Sequence, residues 1–425
     1  MHVLIVGAGL MGLTTAFFLR RAGAEVTVID RQSGPGRETS FANGAMLHAS
    51  QANPWNEPGV LWTALRMIGR EDAALLLRPR ALPGMWRWGL DFVRHSRPTR
   101  YLRNFERNAH LARYSLAEMG GIRAVVGGDY DAQHCGTMKL FRTPDEVAGA
   151  ARLCAQLGAW GIQHEVIDAA GAVAREPALA PIEDQLAGGL FFPQDESGDA
   201  QRFCALIADW LSAQGVSVRY GLSVLGLRPQ SDRAPVVMTR EGELSADAVV
   251  LAAGSYSPQL AESVGLRIPV VPVKGYSLTL PLNGWQEGPR MPVIDDHLHA
   301  AVCPLGDRLR VAGTAEFAGH DLALTPARIN NLFGLVSKLY PAFRPWLRPE
   351  LATRWTGLRP MSSDGVGIMG RTPVPGLFLN TGHGHLGWTM AAGAGHLVAD
   401  EITGQAPALP HEVYHLSRFT RANRD

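Results

Sequence analysis

Three glycines and one acid near the start of the chain are spaced to hold a dinucleotide. Gly7, Gly9 and Gly12 spell G-x-G-x-x-G, and Asp30 stands roughly 20 residues further on. Gly7 allows a tight turn, Gly9 lets backbone amides approach a pyrophosphate, and Gly12 lets a helix pack closely on a strand. Leu10 and Met11 open that helix, whose N-terminus faces the anion, and Asp30 can accept hydrogen bonds from ribose hydroxyls. The glycine pattern alone is weak, because glycine-rich turns are common. Its context is specific: residues 3–6 read as a short apolar strand, 10–23 as a helix, and 25–29 (EVTVI) as a second buried strand that ends at the acid.

A second group of chemistry-bearing residues lies near the other end. Gly382, His383, Gly384, His385, Leu386 and Gly387 make a glycine-rich turn between a strand and a helix that begins at Trp388. A helix start with free amides can hold negative charge, as a reduced flavin requires at its N1–C2=O edge; the plainer reading is an ordinary turn. Upstream, Arg359 sits between Leu358 and Pro360, with Asp364 close by. It is placed either to present a two-pronged donor to a carboxylate or to pair with Asp364. Fourteen histidines invite a metal reading, and His297 with His299 would share one strand face. Neither that pair nor His383 with His385 is accompanied by acids at ligand spacing, so no metal is expected. The cysteines, Cys135, Cys154, Cys204 and Cys303, are far apart, lack C-x-x-C, and are expected in the core of a protein from a reducing compartment.

These groups must be positioned by a chain of 425 residues, long enough for two domains. A hydrophobic content of 46%, a charged content of 19% and a net charge of +1 give no reason to expect nucleic acid as a partner. Residues 2–19 carry no charged side chain, but Arg20 and Arg21 follow the apolar run rather than precede it, so a buried strand and helix are expected instead of an export signal. Helices are expected at 104–120, 144–160, 201–214, 326–340 and 388–402, and strands at 136–142, 216–220, 247–252, 270–280, 308–313 and 377–380. Two α/β blocks bracket a β-rich middle. The expected fold is α/β: a discontinuous nucleotide-binding domain at 1–50, 145–268 and 351–425, with an inserted antiparallel-sheet α+β domain at 51–144 and 269–350.

With these residues in view, the chain resembles the D-amino acid oxidase superfamily, and within it the bacterial D-amino acid dehydrogenases. The matching stretches run from end to end: VLIVGAGLMGLTTAFFL, VTVIDRQSGPGRETSFAN, GTMKLFRT, DESGDAQRF, AAGSYSP, PVKGYSLTLP, WTGLRPMSSDG and LNTGHGHLGWTMAAGAG. The resemblance implies non-covalent FAD, a Rossmann-like FAD domain and oxidation of an amino acid Cα–N bond. It puts Arg31, Thr39 and Ser40 near the ribose and pyrophosphate, Asn43 and Gly44 on the way to the flavin, and Val224, Ala253 and Gly254 by the adenine. It assigns the turn 382–387 with Trp388 to the flavin edge, Arg359 to the substrate carboxylate, and Tyr276 to a second substrate contact. One loop departs: residues 44–50 (GAMLHAS) are more like relatives associated with D-hydroxyproline oxidation, and make His48 a candidate at the substrate.

The implied reaction is hydride transfer from Cα to flavin N5, with electrons passed to an acceptor other than oxygen, such as a quinone. The runner-up is an oxygen-using glycine or sarcosine oxidase. Segment 59–97, rich in Trp and Arg, suggests a cytoplasmic protein that touches the inner face of an anionic membrane, against the plain alternative of a solvated arginine face.

Overall fold

The computed structural model describes residues 1–62, 75–298 and 300–420. Among these residues the cofactor-type sheet has six strands, in the order 368–371, 377–381, 248–251, 2–6, 25–29 and 217–219. Its pairings are parallel except the one between Ile368–Arg371 and Leu377–Thr381. The central strands are apolar throughout (Val3, Leu4, Ile5; Val249, Val250, Leu251), as a sheet covered on both faces demands. One face is covered by the helices Leu10–Arg21 and Gly387–Thr403, which approach closely because Gly395 lacks a side chain: a β-carbon there would lie 2.6 Å from Thr14 Oγ1.

The second large sheet has the order 353–362, 270–281, 308–317, 300–305, 293–295, 137–141, 188–192 and 165–167, with Leu75–Leu77 pairing alongside residues 315–317. It is mixed rather than wholly antiparallel: residues 293–295 run parallel to 138–140, and 75–77 run parallel to 315–317. Two stretches assigned from sequence to the nucleotide-binding block, 165–192 and 353–362, contribute strands to this sheet. The sheets therefore divide the chain elsewhere than at 145 and 351. Short strands far apart in sequence declare no partner, which is why composition could not place them.

Most elements lie where periodicity put them, within a few residues. The helix expected at 104–120 is longer, Pro98–Val126, opened by a proline at its first turn and closed by Gly127 at φ 67°. His297 is not on a strand: Val293–Asp295 ends before it, and His299 lies outside the described residues, as do residues 63–74 of the Trp- and Arg-rich segment. Three cysteines are buried, but Cys135 is exposed, contrary to expectation.

Candidate active site

A cavity of about 1160 Å³ runs between the two large sheets. At one end it is walled by the first glycine turn. Gly7 adopts φ 117°, and a β-carbon on it would fall 2.5 Å from the Ala252 carbonyl oxygen; one on Gly12 would overlap the Gly7 carbonyl oxygen. Gly9 begins the helix with no side-chain cap, so its amides face the cavity, with only the Leu10 N–H donating to Ser40 Oγ at 3.2 Å. Asp30 braces the turn as well as lining the cavity: its carboxylate accepts from the Ala8 amide at 2.6 Å and the Gln32 amide at 2.7 Å. Burial nevertheless pushes its pKa up, against those two donors. Arg31 is held by Glu38 at 2.5 Å and lies over Tyr256, 3.8 Å from the ring centre.

Met11, Val224, Ala253, Gly254, Thr39, Ser40, Asn43 and Gly44 line the same cavity. Thr39 donates to the Leu358 carbonyl at 2.8 Å, tying this loop to the strand that carries Arg359. Arg310 donates to the Asn43 carbonyl at 2.7 Å, and Ala45 takes the left-handed φ of 63° that redirects the chain towards His48.

At the far end, His383, Gly384, His385, Gly387 and Trp388 line the wall, and the helix Gly387–Thr403 again starts without a side-chain cap. Two uncapped helix starts and a glycine cradle fit an extended dinucleotide with an anionic ring at one end. Gly12, Gly382 and Leu386 lie behind the wall and serve packing. Trp388 is mostly core: its indole donates to the Gly198 carbonyl at 3.3 Å and packs on Phe203. Burial lowers the pKa of His48 to about 4 and of His383 and His385 to about 3, so all three are neutral.

Arg359 is the most telling residue. Its guanidinium is recessed in the wall beneath Trp55, 5.9 Å from the ring, and its buried Nη1 has no hydrogen-bond partner. Burial alone pulls its pKa down to about 10. Asp364 does not pair with it, being bound to Arg418 at 2.7 Å. A buried cation aimed into a cavity without an anion is a site that awaits one. Tyr276, expected beside it, points the other way. Strand alternation puts Gly275 on the cavity face, while the Tyr276 hydroxyl donates to Glu316 at 2.8 Å within the core of the second sheet. The aromatic walls that sequence reading missed are Trp55, stacked on His385 at 5.3 Å, and Trp355. Trp355 shares a strand face with Arg359, and that spacing of four was a usable signal.

Glu401, on the helix Gly387–Thr403, clusters with His411 and His415, and is bound to Arg371 and 3.1 Å from His415 Nε2.

Fold and cavity together define an oxidoreductase built around a bound dinucleotide. Residues 2–401 match the family described as FAD dependent oxidoreductase (DAO), and the chain belongs to that family. It is similar to the D-amino acid dehydrogenases of Methylobacterium radiotolerans, 43% identical over 420 residues (99% of this chain, all of the relative), and Paramagnetospirillum magneticum, 41% identical over 421 residues (99% of each). Among solved structures, glycine oxidase from Geobacillus kaustophilus aligns with a TM-score of 0.77 at 23% identity, covering 98% of each chain. L-proline dehydrogenase from P. horikoshii aligns with a TM-score of 0.77 at 18% identity, covering 99% of this chain and 98% of that one. These two show the fold.

Proposed function

We propose that this protein is an FAD-dependent dehydrogenase of D-amino acids. The observation that carries the reading is the unpaired guanidinium of Arg359 at the flavin end of the cavity, together with whole-chain similarity to proteins named for that activity. FAD, when bound, supplies the acceptor for the hydride that leaves Cα. The glycine turn at 7–12 and Asp30 hold its ADP half, and the turn at 382–387 receives the ring. Arg359 grips the substrate carboxylate, and fixing that group fixes Cα, which is most of what orientation contributes. His48 and His385 are uncharged and add no competing positive charge. Trp55 and Trp355 keep water from the reacting carbon. A primary imino acid product hydrolyses to a 2-oxo acid and ammonia, and a D-proline-type substrate gives a cyclic imine.

The finer reading is a cyclic secondary amine such as D-proline or hydroxy-D-proline, supported by loop 44–50. The acceptor is a quinone reached at a membrane surface. Helix Leu82–His95 supports this: Leu82, Trp86, Leu90 and Val93 are exposed at helical spacing, with Arg87 and Arg94 nearby. No described helix is long and apolar enough to cross a membrane. Anaerobic bleaching of the flavin by D-alanine, D-proline, cis-4-hydroxy-D-proline and glycine tests the substrate. A strong preference for D-alanine removes the cyclic-amine reading, and peroxide formation in air with glycine favours an oxidase. Loss of anionic-vesicle binding in Trp86→Glu tests the surface; equal binding by parent and variant removes it.

A further inference from the structure

Two glycines face each other beneath the substrate end of the cavity, and neither is there for its backbone angles. Gly275 and Gly357 are direct partners in the antiparallel pair of strands Val270–Pro281 and Thr353–Ser362. Neither has positive φ, so alanine is allowed at both as far as the backbone is concerned. What both lack is space above the sheet. A β-carbon on Gly275 would lie 2.6 Å from Arg359 Cζ and 2.8 Å from Nη2, and closer still to Nη1. A β-carbon on Gly357 would overlap Cη2 and Cζ2 of Trp355. Residues 355, 357 and 359 share one strand face, so the indole and the guanidinium fold in from either side and lie flat over the glycine pair. Both side chains line the cavity. A glycine inside a strand weakens it, and is often found where another group approaches closely.

We propose that Gly275 and Gly357 form a seat that sets the two walls of the substrate pocket. Gly275 is the positioning residue for the carboxylate-binding Arg359, and Gly357, through Trp355, determines which substrate side chains fit. The proposal rests on the reading of Arg359 as carboxylate anchor. The nearest atoms in both collisions are side-chain atoms of Arg359 and Trp355 rather than backbone, so a methyl group at either position disturbs the pocket more than the fold.

The test uses the FAD-loaded enzyme and its Gly275→Ala, Gly357→Ala, Arg359→Ala and Gly275→Ala/Arg359→Ala variants. Acetate, a bare carboxylate, is titrated against the flavin absorbance, and turnover of D-alanine and D-proline is measured. Gly275→Ala should keep its flavin, weaken acetate, and lower kcat/KM for both substrates by about 100-fold, a loss of the size expected when a desolvated ion pair is broken. Added to Arg359→Ala, the same methyl should cost nothing further. Gly357→Ala should leave acetate affinity within about twofold of the parent while changing the D-proline to D-alanine preference about tenfold, the range set by one methylene in an apolar pocket. Normal acetate binding by Gly275→Ala beside a crippled Arg359→Ala overturns the seat. Normal binding by both overturns the carboxylate anchor itself. An unchanged substrate ranking in Gly357→Ala overturns the role of Trp355. If Gly275→Ala does not fold, recovery of folding in the double variant supports the collision with Arg359, and failure of both overturns it.

Discussion

Replacing Arg359 should weaken the enzyme and strengthen the fold. With substrate bound, its guanidinium forms a charged pair out of water, and truncating one partner of such a pair costs about 2–5 kcal/mol. At about 1.4 kcal/mol per decade, Arg359→Ala should lose roughly two to three orders of magnitude in kcat/KM. Without substrate the same residue is a liability. Its pKa is drawn down from the usual guanidinium range to about 10, a penalty of roughly 3 kcal/mol at most on holding the charge in the folded state. The side chain is protonated in both folded and unfolded states at neutral pH, so the penalty is present in full there and is shed only as pH rises through about 10. Arg359→Met, which keeps the volume and drops the charge, should therefore raise the Tm of substrate-free enzyme by a few degrees. The assays are steady-state turnover, flavin content and thermal melting, with a D-amino acid amide as control. The amide lacks the carboxylate, so it should be a poor substrate for the parent and lose little more in Arg359→Ala. Near-normal kcat/KM for a carboxylate substrate in Arg359→Ala would refute the anchor, and a lowered Tm in Arg359→Met would refute the buried unpaired charge.

Three further outcomes follow from the site. Gly9→Leu should fill the crease where backbone amides meet the pyrophosphate and purify colourless; a folded variant with full flavin absorbance would remove the placement. Asp195, buried beneath loop 44–50 and bonded to Ser50 and Thr137 at 2.5 and 2.6 Å, has its pKa raised to about 6 by burial. Folding is unpenalised below its unfolded value of 3.8 and loses roughly 3 kcal/mol as pH climbs through 6, so Asp195→Asn should abolish that part of the fall in urea midpoint between about pH 4 and pH 7. Because His48, His383 and His385 stay neutral above about pH 5, the pH profile of kcat/KM should lack an imidazole limb near 6.5; such a limb, lost in His48→Gln, would count against the geometry.

The cofactor end of the site was legible because each glycine there answers a local need. Gly7, Gly9, Gly12 and Asp30 sit within one strand–helix–strand unit, and local spacing is what a sequence displays. Arg359 was visible for a different reason, through resemblance along a rigid strand. Tyr276 was misjudged because aromatic character draws attention while its neighbour Gly275, which faces the cavity, offers no side chain to notice. The bulge between Gly275 and Tyr276 against strand Arg308–Phe317 also breaks the register there. Trp55 and Asp195 depend on contacts between loop 48–56 and distant strands, and no local pattern announces them.

The six-stranded sheet has a consequence for how the enzyme is made. Strand His2–Val6 is flanked by Glu25–Ile29 and by Ala248–Leu251, and the sheet is finished by residues 368–381, far along the chain from it. The helix that covers the first glycine turn's own helix is Gly387–Thr403, later still in the sequence. The glycine turn at 7–12 is thus translated well before the strands and the helix that complete its walls. At the usual pace of about 5–20 residues per second, some tens of seconds separate the synthesis of the two helices. Capture of FAD therefore waits for the helix Gly387–Thr403, and truncations that remove it should abolish flavin binding even though Gly7, Gly9, Gly12 and Asp30 are all intact.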